Sequence, residues 1–280
     1  MCNTCGCNVT SGNRHLLFTP LQKKSVTAVS VLSNLLKHND EQAELNRAKF
    51  DTNGLLAINL MSSPGSGKTA LLEATIRQLK DKIRIAVIEG DLETENDAER
   101  IRAQGVPAYQ ITTGTACHLD AHLIQHALEH LDLAKIDLLF IENVGNLVCP
   151  ASFDLGHHRN ITLLSVTEGD DKPAKYPVMF RAADLMLITK TDLLPFLDDF
   201  STEKAERCQR ELASHAPVLK LSSRSSEGLE DWFQWLEQEV GDHKARIQRH
   251  QTLRPQIQPD GNNLHLQTPE THFRPVKQVG

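Results

Sequence analysis

The sequence predicts an α/β fold with a mainly parallel sheet flanked by helices, and three observations predict it. From Leu55 onward, short strand-like runs alternate with helix-like ones. The strand-like runs, such as Ile83-Arg-Ile-Ala-Val-Ile88 and Ile136-Asp-Leu-Leu-Phe-Ile141, are apolar almost throughout, the mark of strands covered on both faces. The stretch Met61-Ser-Ser-Pro-Gly-Ser-Gly-Lys-Thr69 sits between an apolar run, Leu55 to Leu60, and a helix-like one, Ala70 to Lys80, which is the setting a phosphate-binding loop requires. Together these describe a domain of the P-loop NTPase type.

Composition narrows the function. The chain has 280 residues, 40% of them hydrophobic, enough for one large α/β domain plus appendages. Its formal charge is -6 with no basic block, which argues against nucleic acid as a partner, because that binding rests on dense phosphate neutralisation. The N-terminus lacks a basic segment followed by an apolar one, and no apolar run approaches the ~20 residues of a membrane span. A cytoplasmic protein with no membrane contact is expected. The six cysteines are clustered rather than spread as a disulfide framework, and in a reducing compartment such clusters bind metal or do redox chemistry.

Three regions are expected: residues 1–22, a Cys-rich metal-binding N-terminus and linker; 23–240, the nucleotide domain with a leading helix; and 241–280, a disordered polar tail. Cys2, Cys5 and Cys7 form C-x-x-C-G-C, three soft ligands within one turn that can wrap Ni²⁺, Zn²⁺ or Cu⁺; a redox dithiol or an unligated end are the alternatives. Residues 8–22 read as a linker that leaves this cluster on a tether. From Lys23 to about Lys49, apolar residues recur near helical spacing, and Asp51-Thr-Asn-Gly54 ends the run. Strands are expected at 55–61, 83–89, 107–112, 136–142, 161–167, 184–189 and 217–222. Helices are expected at 68–81, 94–104, 117–131, 202–214 and 228–240. Residues 250–280 are rich in Gln, Pro, His and Asn without helical period; there His265 and His272 read as solvent-facing.

In the loop, glycines let the backbone turn tightly and aim N–H groups at phosphate oxygens, while Lys68 reaches the outer phosphates and the Thr69 hydroxyl can hold Mg²⁺. Gly65, Ser66, Gly67, Lys68, Thr69 and Ala70 are the phosphate-binding candidates, although Ser62 stands where the general motif begins with Gly. Ligands of open parallel sheets bind beyond the carboxyl ends of the strands. Asp91, after the second strand, can contact Mg²⁺ directly or through water, and Asp97 reads as structural. Glu142, after the fourth strand, can orient Mg²⁺-bound or attacking water, and Gly145 can let backbone N–H approach a γ-phosphate. Helix capping is the plainer role for Asp91 and Glu142. Thr189-Lys190-Thr-Asp192 is similar to the N-K-x-D base-recognition signature of GTPases, with Thr189 in place of Asn, and Leu221-Ser-Ser223-Arg-Ser225 to their last motif. Both favour guanine: Asp192 accepts two hydrogen bonds that adenine cannot donate.

A second metal set is internal. Cys117 and His118 are adjacent, and His122, His126 and His130 follow at intervals of four, so that on a helix neighbours lie only ~40° apart. Cys149 follows the fourth strand as Cys117 follows the third, which puts both on the rim that carries the phosphate loop. Cys117, His118 and Cys149 make a mixed S/N set suited to Zn²⁺ or Ni²⁺; a buried structural cysteine beside a surface histidine is the alternative. His157 and His158 read as reserve ligands or solvated loop residues, and Cys208 as inert.

The N-terminal Met-Cys-Asn-Thr-Cys-Gly-Cys, the phosphate loop, Glu89-Gly-Asp91, Cys117-His118 and Glu142-Asn-Val-Gly-Asn-Leu-Val-Cys149 together resemble the HypB family of hydrogenase nickel-incorporation GTPases over about residues 1–240. The resemblance implies a slow GTPase that passes nickel onward for [NiFe]-hydrogenase maturation, with GTP, Mg²⁺, Ni²⁺ and Zn²⁺ as its ligands. Cys2, Cys5 and Cys7 would be the tight nickel site. Cys117, His118 and Cys149 would be a nickel or zinc site at a GTP-dependent homodimer interface, with His122 and His126 at positions that can hold a second ion. The implied partners are a HypA-type zinc accessory protein and the hydrogenase large subunit as final recipient. Thr189 and the polar tail depart from the family pattern, and the urease-activating relative shares the phosphate loop without the thiol triplet. Two further classes compete: a nickel or zinc storage protein with a vestigial nucleotide domain, which GTP turnover would exclude, and a small-molecule kinase, which would prefer ATP.

Overall fold

The computed structural model describes residues 28–91, 96–114, 116–212, 214 and 216–255. The N-terminal thiols, the linker and the tail beyond residue 255, with His265 and His272, lie outside the described residues. Seven strands, β1 (Leu56–Met61), β2 (Ile85–Asp91), β3 (Ala108–Thr112), β4 (Leu138–Glu142), β5 (Arg159–Ser165), β6 (Leu185–Thr189) and β7 (Val218–Lys220), form one sheet in the order β3-β2-β4-β1-β5-β6-β7. Every pairing is parallel. Helices α1 (Ala28–Asn53), α2 (Lys68–Leu79), α3 (Asn96–Ala103), α4 (Ala121–Leu128), α5 (Lys172–Lys175), α6 (Pro177–Arg181), α7 (Thr202–Glu211) and α8 (Leu229–Gln248) connect and cover it.

The continuous apolar runs have the expected cause. All six residues of β1 are buried, and they alternate between two cores. Leu56, Ile58 and Leu60 join Leu71 and Leu72 of α2 and Trp232 and Leu236 of α8, whereas Ala57 joins Phe50 of α1 and Ile124 of α4. Side chains alternate along a strand, so helices on both faces demand apolar residues at every position. The buried Trp232 indole N–H donates to Thr75 Oγ1 at 2.8 Å, which ties α8 to α2 without stranding a donor.

The register builds the acidic rim. Glu89 of β2 and Glu142 of β4 are aligned partners, as are Leu60 and Glu142, so two carboxylates emerge side by side next to the loop that follows β1. This placement follows from β1 lying between β4 and β5; in such a sheet the central strand's loop is flanked by its neighbours' loops.

Three expectations are corrected. The C-terminal helix does not stop at residue 240: α8 continues to Gln248, with His243 buried, and Arg254 makes two bonds of 2.6 Å to Glu44 of α1. Residues 241–255 therefore complete the domain. The helix expected from 117 begins at Ala121 instead, because Asp120 caps it by accepting from the Leu123 N–H at 2.9 Å, which leaves Cys117 and His118 on the preceding turn. His157 and His158 are neither solvated nor reserve ligands: both are buried. His158 Nδ1 accepts the Ala57 N–H at 2.9 Å, and its Nε2 donates to Asp51 of α1 at 3.1 Å, so backbone and carboxylate partners make burial tolerable.

Candidate nucleotide and metal sites

The phosphate loop bends where its sequence permits. Gly67 takes φ 94° just before α2, in the left-handed region that residues with a Cβ avoid. Ser66 is held by Glu168, whose Oε1 accepts from the Ser66 hydroxyl at 2.7 Å and from the Ser165 N–H at 3.1 Å. Gly145 also has a steric reason: a Cβ there would lie 2.8 Å from Pro64 Cα. The loop after β4 and the phosphate loop thus approach each other where no side chain fits.

A cavity of about 480 Å³ opens above this contact, lined by Gly65, Gly67, Lys68, Thr69, Ala70, Asp91, Glu142 and Gly145 among others. The Lys68 ammonium donates to Ser62 Oγ at 3.0 Å and stands 3.9 Å from Glu142. Thr69 Oγ1 donates to Glu142 Oε1 at 3.1 Å. Burial raises the pKa of both Glu89 and Glu142, and the facing Glu142 carboxylate raises that of Glu89 further. Glu89 Oε1 and Glu142 Oε2 are buried without a hydrogen-bond partner. Orphaned carboxylate oxygens beside a threonine hydroxyl are the donor set that a hard divalent cation takes, so these residues fit Mg²⁺. Asp91 lines the same cavity at the end of β2, and Asp97, expected to be structural, both lines it and pairs with Arg100 at 2.9 Å.

An adjoining cavity of about 270 Å³ is lined by Ser66, Gly67, Ala70, Thr189, Lys190, Asp192, Ser222, Ser223 and Arg224. Lys190 has φ 60°, and its ammonium donates to the Gly65 carbonyl at 2.6 Å. The unexpected Thr189 donates to the Ser66 carbonyl at 2.8 Å, so its hydroxyl ties this loop to the phosphate loop. Asp192 Oδ1 accepts from the Ser222 hydroxyl at 2.6 Å. Ser223 of that motif lines the cavity, whereas its neighbour Ser222 orients the carboxylate. The two cavities share Gly67, Ala70 and Lys190, so they adjoin across the phosphate loop.

The internal thiols meet. Cys117 Sγ lies 3.0 Å from Cys149 Sγ and 3.7 Å from His118 Nδ1, and one ligand atom from each residue falls within 4.8 Å of the others. Desolvation lowers the His118 pKa, which keeps the imidazole neutral and able to ligate. Phe153 stacks on it with centroids 3.9 Å apart. His122 and His126 are exposed on α4 and do not join this set. His126 pairs in edge contact with His130 at 5.2 Å, and Tyr109 stacks on His130 at 4.6 Å. Among the described residues Asp51, His158 and His243 also lie within 4.8 Å. There the His158 Nδ1 bond to the Ala57 N–H places the ring proton on Nε2, which makes that group a structural bond rather than a ligand.

The family profile described as "CobW/HypB/UreG, nucleotide-binding domain" matches residues 56–220. The hydrogenase maturation factor HypB of Azotobacter vinelandii is 55% identical over 215 residues, 76% of this chain and 71% of that protein. The chain belongs to the HypB family. The crystal structure of HypB from Helicobacter pylori in complex with nickel superposes with TM-score 0.70 at 44% identity, covering 74% of this chain and 97% of that one. HypB from Archaeoglobus fulgidus superposes at 0.69 with 39% identity, covering 73% and 100%. The chain thus shares its fold with these HypB structures. Among the described residues no helix is long and apolar enough to cross a membrane.

Proposed function

We propose that the chain is a GTP-hydrolysing nickel metallochaperone that binds Ni²⁺ or Zn²⁺ and delivers nickel for [NiFe]-hydrogenase maturation in the cytoplasm. The observation that carries this reading is the shared rim: the Cys117–His118–Cys149 set lies beyond the carboxyl ends of β3 and β4, and the nucleotide cavity beyond those of β1, β2 and β4. Lys68 offsets phosphate charge, Thr69 with the acidic groups Asp91 and Glu142 holds Mg²⁺, and Lys190 and Asp192 frame guanine. Mg²⁺ held by these residues would supply positive charge to offset that of the phosphates. Glu142, desolvated and beside Lys68, orients a water for attack.

Nickel is the cargo. Cys2, Cys5 and Cys7 hold it tightly, and Cys117, His118 and Cys149 form the nucleotide-controlled site, while the exposed His122 and His126 of α4 are left for a separate second ion. GTP closes a homodimer, a HypA-type zinc protein assists transfer, and the hydrogenase large subunit receives the metal.

The test is GTP turnover together with Ni²⁺ affinity in wild type and Lys68→Ala. The wild type hydrolyses GTP in preference to ATP, and its Ni²⁺ affinity differs between GDP and a non-hydrolysable GTP analogue; Lys68→Ala loses both. Wild type that hydrolyses no GTP yet binds nickel would leave a storage protein.

A further inference from the structure

The residue between the metal loop and the nucleotide loop is Asn143. Its Oδ1 accepts two backbone N–H groups from segments far apart in sequence. One is Leu119, which directly follows Cys117-His118, at 3.2 Å; the other is Val144, which directly precedes Gly145, at 3.0 Å. Its Nδ2 donates to Asn59 of β1 at 3.1 Å, and Asn59 in turn donates to Asn160 of β5 at 3.0 Å. All three asparagines are at most 5% exposed. Leu119 has a second contact with the nucleotide side: its side chain packs on Gly90, where a Cβ would meet Leu119 Cδ1 at 2.8 Å. Gly90 lies between Glu89 and Asp91 of the acidic rim.

We infer that Asn143 is the positioning residue that couples the γ-phosphate end of the nucleotide cavity to the Cys117–His118–Cys149 site. The inference rests on the coupled function proposed above and names the part that carries it. A carbonyl oxygen has two lone pairs, and here the two donors belong to the two loops that must communicate. Gly145, directly after Val144, is the wall that lies against Pro64 of the phosphate loop. When that wall moves to meet a γ-phosphate, the Asn143 amide either follows, dragging Leu119 and the ligands before it, or leaves a buried N–H unpaired, which is costly. The chain of amides through Asn59 and Asn160 anchors the other end to β1 and β5, so that the displacement is passed to the metal loop rather than absorbed by the sheet.

The experiment uses the full-length chain carrying Cys2→Ala, Cys5→Ala and Cys7→Ala, so that Ni²⁺ reports only the inner site. Ni²⁺ dissociation constants are measured with GDP and with a non-hydrolysable GTP analogue, in this parent and with Asn143→Ala or Asn143→Asp added. Coupling between sites is commonly about 5- to 150-fold, and a ratio in that range is expected for the parent. Asn143→Ala brings the ratio below about twofold on the same basis, while Asn143→Asp, which keeps an acceptor for both N–H groups, restores at least half of the parent factor. Asn143→Ser, too short to reach both amides, replaces the Ala variant if that one fails to fold by circular dichroism. A ratio in the Ala or Ser variant equal to the parent's overturns the inference, as does a loss of affinity that leaves the ratio standing. A parent with no nucleotide dependence overturns the proposed function itself, a result distinct from the other two.

Discussion

Acid should unfold this domain in part through His157, and the structure allows the amount to be worked out. The ring is buried; its Nε2 donates to Asn160 Oδ1 at 2.7 Å while its Nδ1 accepts the Leu155 N–H at 3.4 Å. That arrangement suits the neutral ring, because a proton on Nδ1 would point at an N–H. Desolvation is the main reason the pKa falls from 6.5 to about 4. The folded value lies below the unfolded one, so the stabilisation is complete above pH 6.5 and is lost as pH falls toward 4. At 1.36 kcal/mol per pH unit the full effect is about 3 kcal/mol, of which about 2 kcal/mol is lost between pH 7 and pH 5. Buried carboxyls with raised values, Glu89 and Asp51, act in the opposite direction, so a difference against a non-titrating variant is needed. Urea denaturation of wild type and His157→Gln, followed by tryptophan fluorescence from pH 8 to pH 4.5, should show the wild type losing about 2 kcal/mol more than the variant between pH 7 and pH 5. Parallel stability curves would refute the argument that this ring is held neutral by its surroundings.

Two further outcomes follow from the nucleotide cavities. Gly145→Ala places a Cβ 2.8 Å from Pro64 Cα, where neither backbone can yield cheaply; isothermal titration should show affinity for a non-hydrolysable GTP analogue reduced at least about tenfold, the equivalent of 1.4 kcal/mol, with the fold retained by circular dichroism. Asp192→Asn keeps the shape but makes one of the two acceptor atoms a donor; competition binding should show the preference for GTP over ATP collapsing to within about tenfold, since a site built to receive donors loses its discrimination when an acceptor is removed.

Most of the architecture was legible because its cause is local. Doubly covered strands require apolar residues at every position, so β1, β2, β4 and β6 stand out in the chain, and a glycine-rich turn between a strand and a helix marks the phosphate loop. Cys117 and Cys149 could be placed on one rim because each follows a strand, and strand ends of a parallel sheet converge. What escaped depends on partners distant in sequence. His157 and His158 look like solvated loop residues until Asn160, Asp51 and the Ala57 backbone are seen to satisfy them. The last turns of α8 have a polar composition, and it is the burial of His243 together with the Arg254–Glu44 contact beyond the helix that seats this end of the chain. Thr189 departs from the expected Asn, yet its hydroxyl serves the phosphate loop. Asn143 stands within the Glu142–Cys149 motif, but its role is not legible there, because the Leu119 backbone and the Asn59 side chain that it binds lie far from it in sequence.

The account turns on reciprocity between cargo and nucleotide. The decisive measurement is the affinity of the full-length chain, with Cys2, Cys5 and Cys7 replaced by Ala, for a non-hydrolysable GTP analogue with and without saturating Ni²⁺. Linkage requires nickel to change nucleotide affinity by the same factor by which nucleotide changes nickel affinity. A change of at least about fivefold that disappears in Cys149→Ala is the predicted result; an analogue affinity indifferent to Ni²⁺ would contradict the shared rim as a working device.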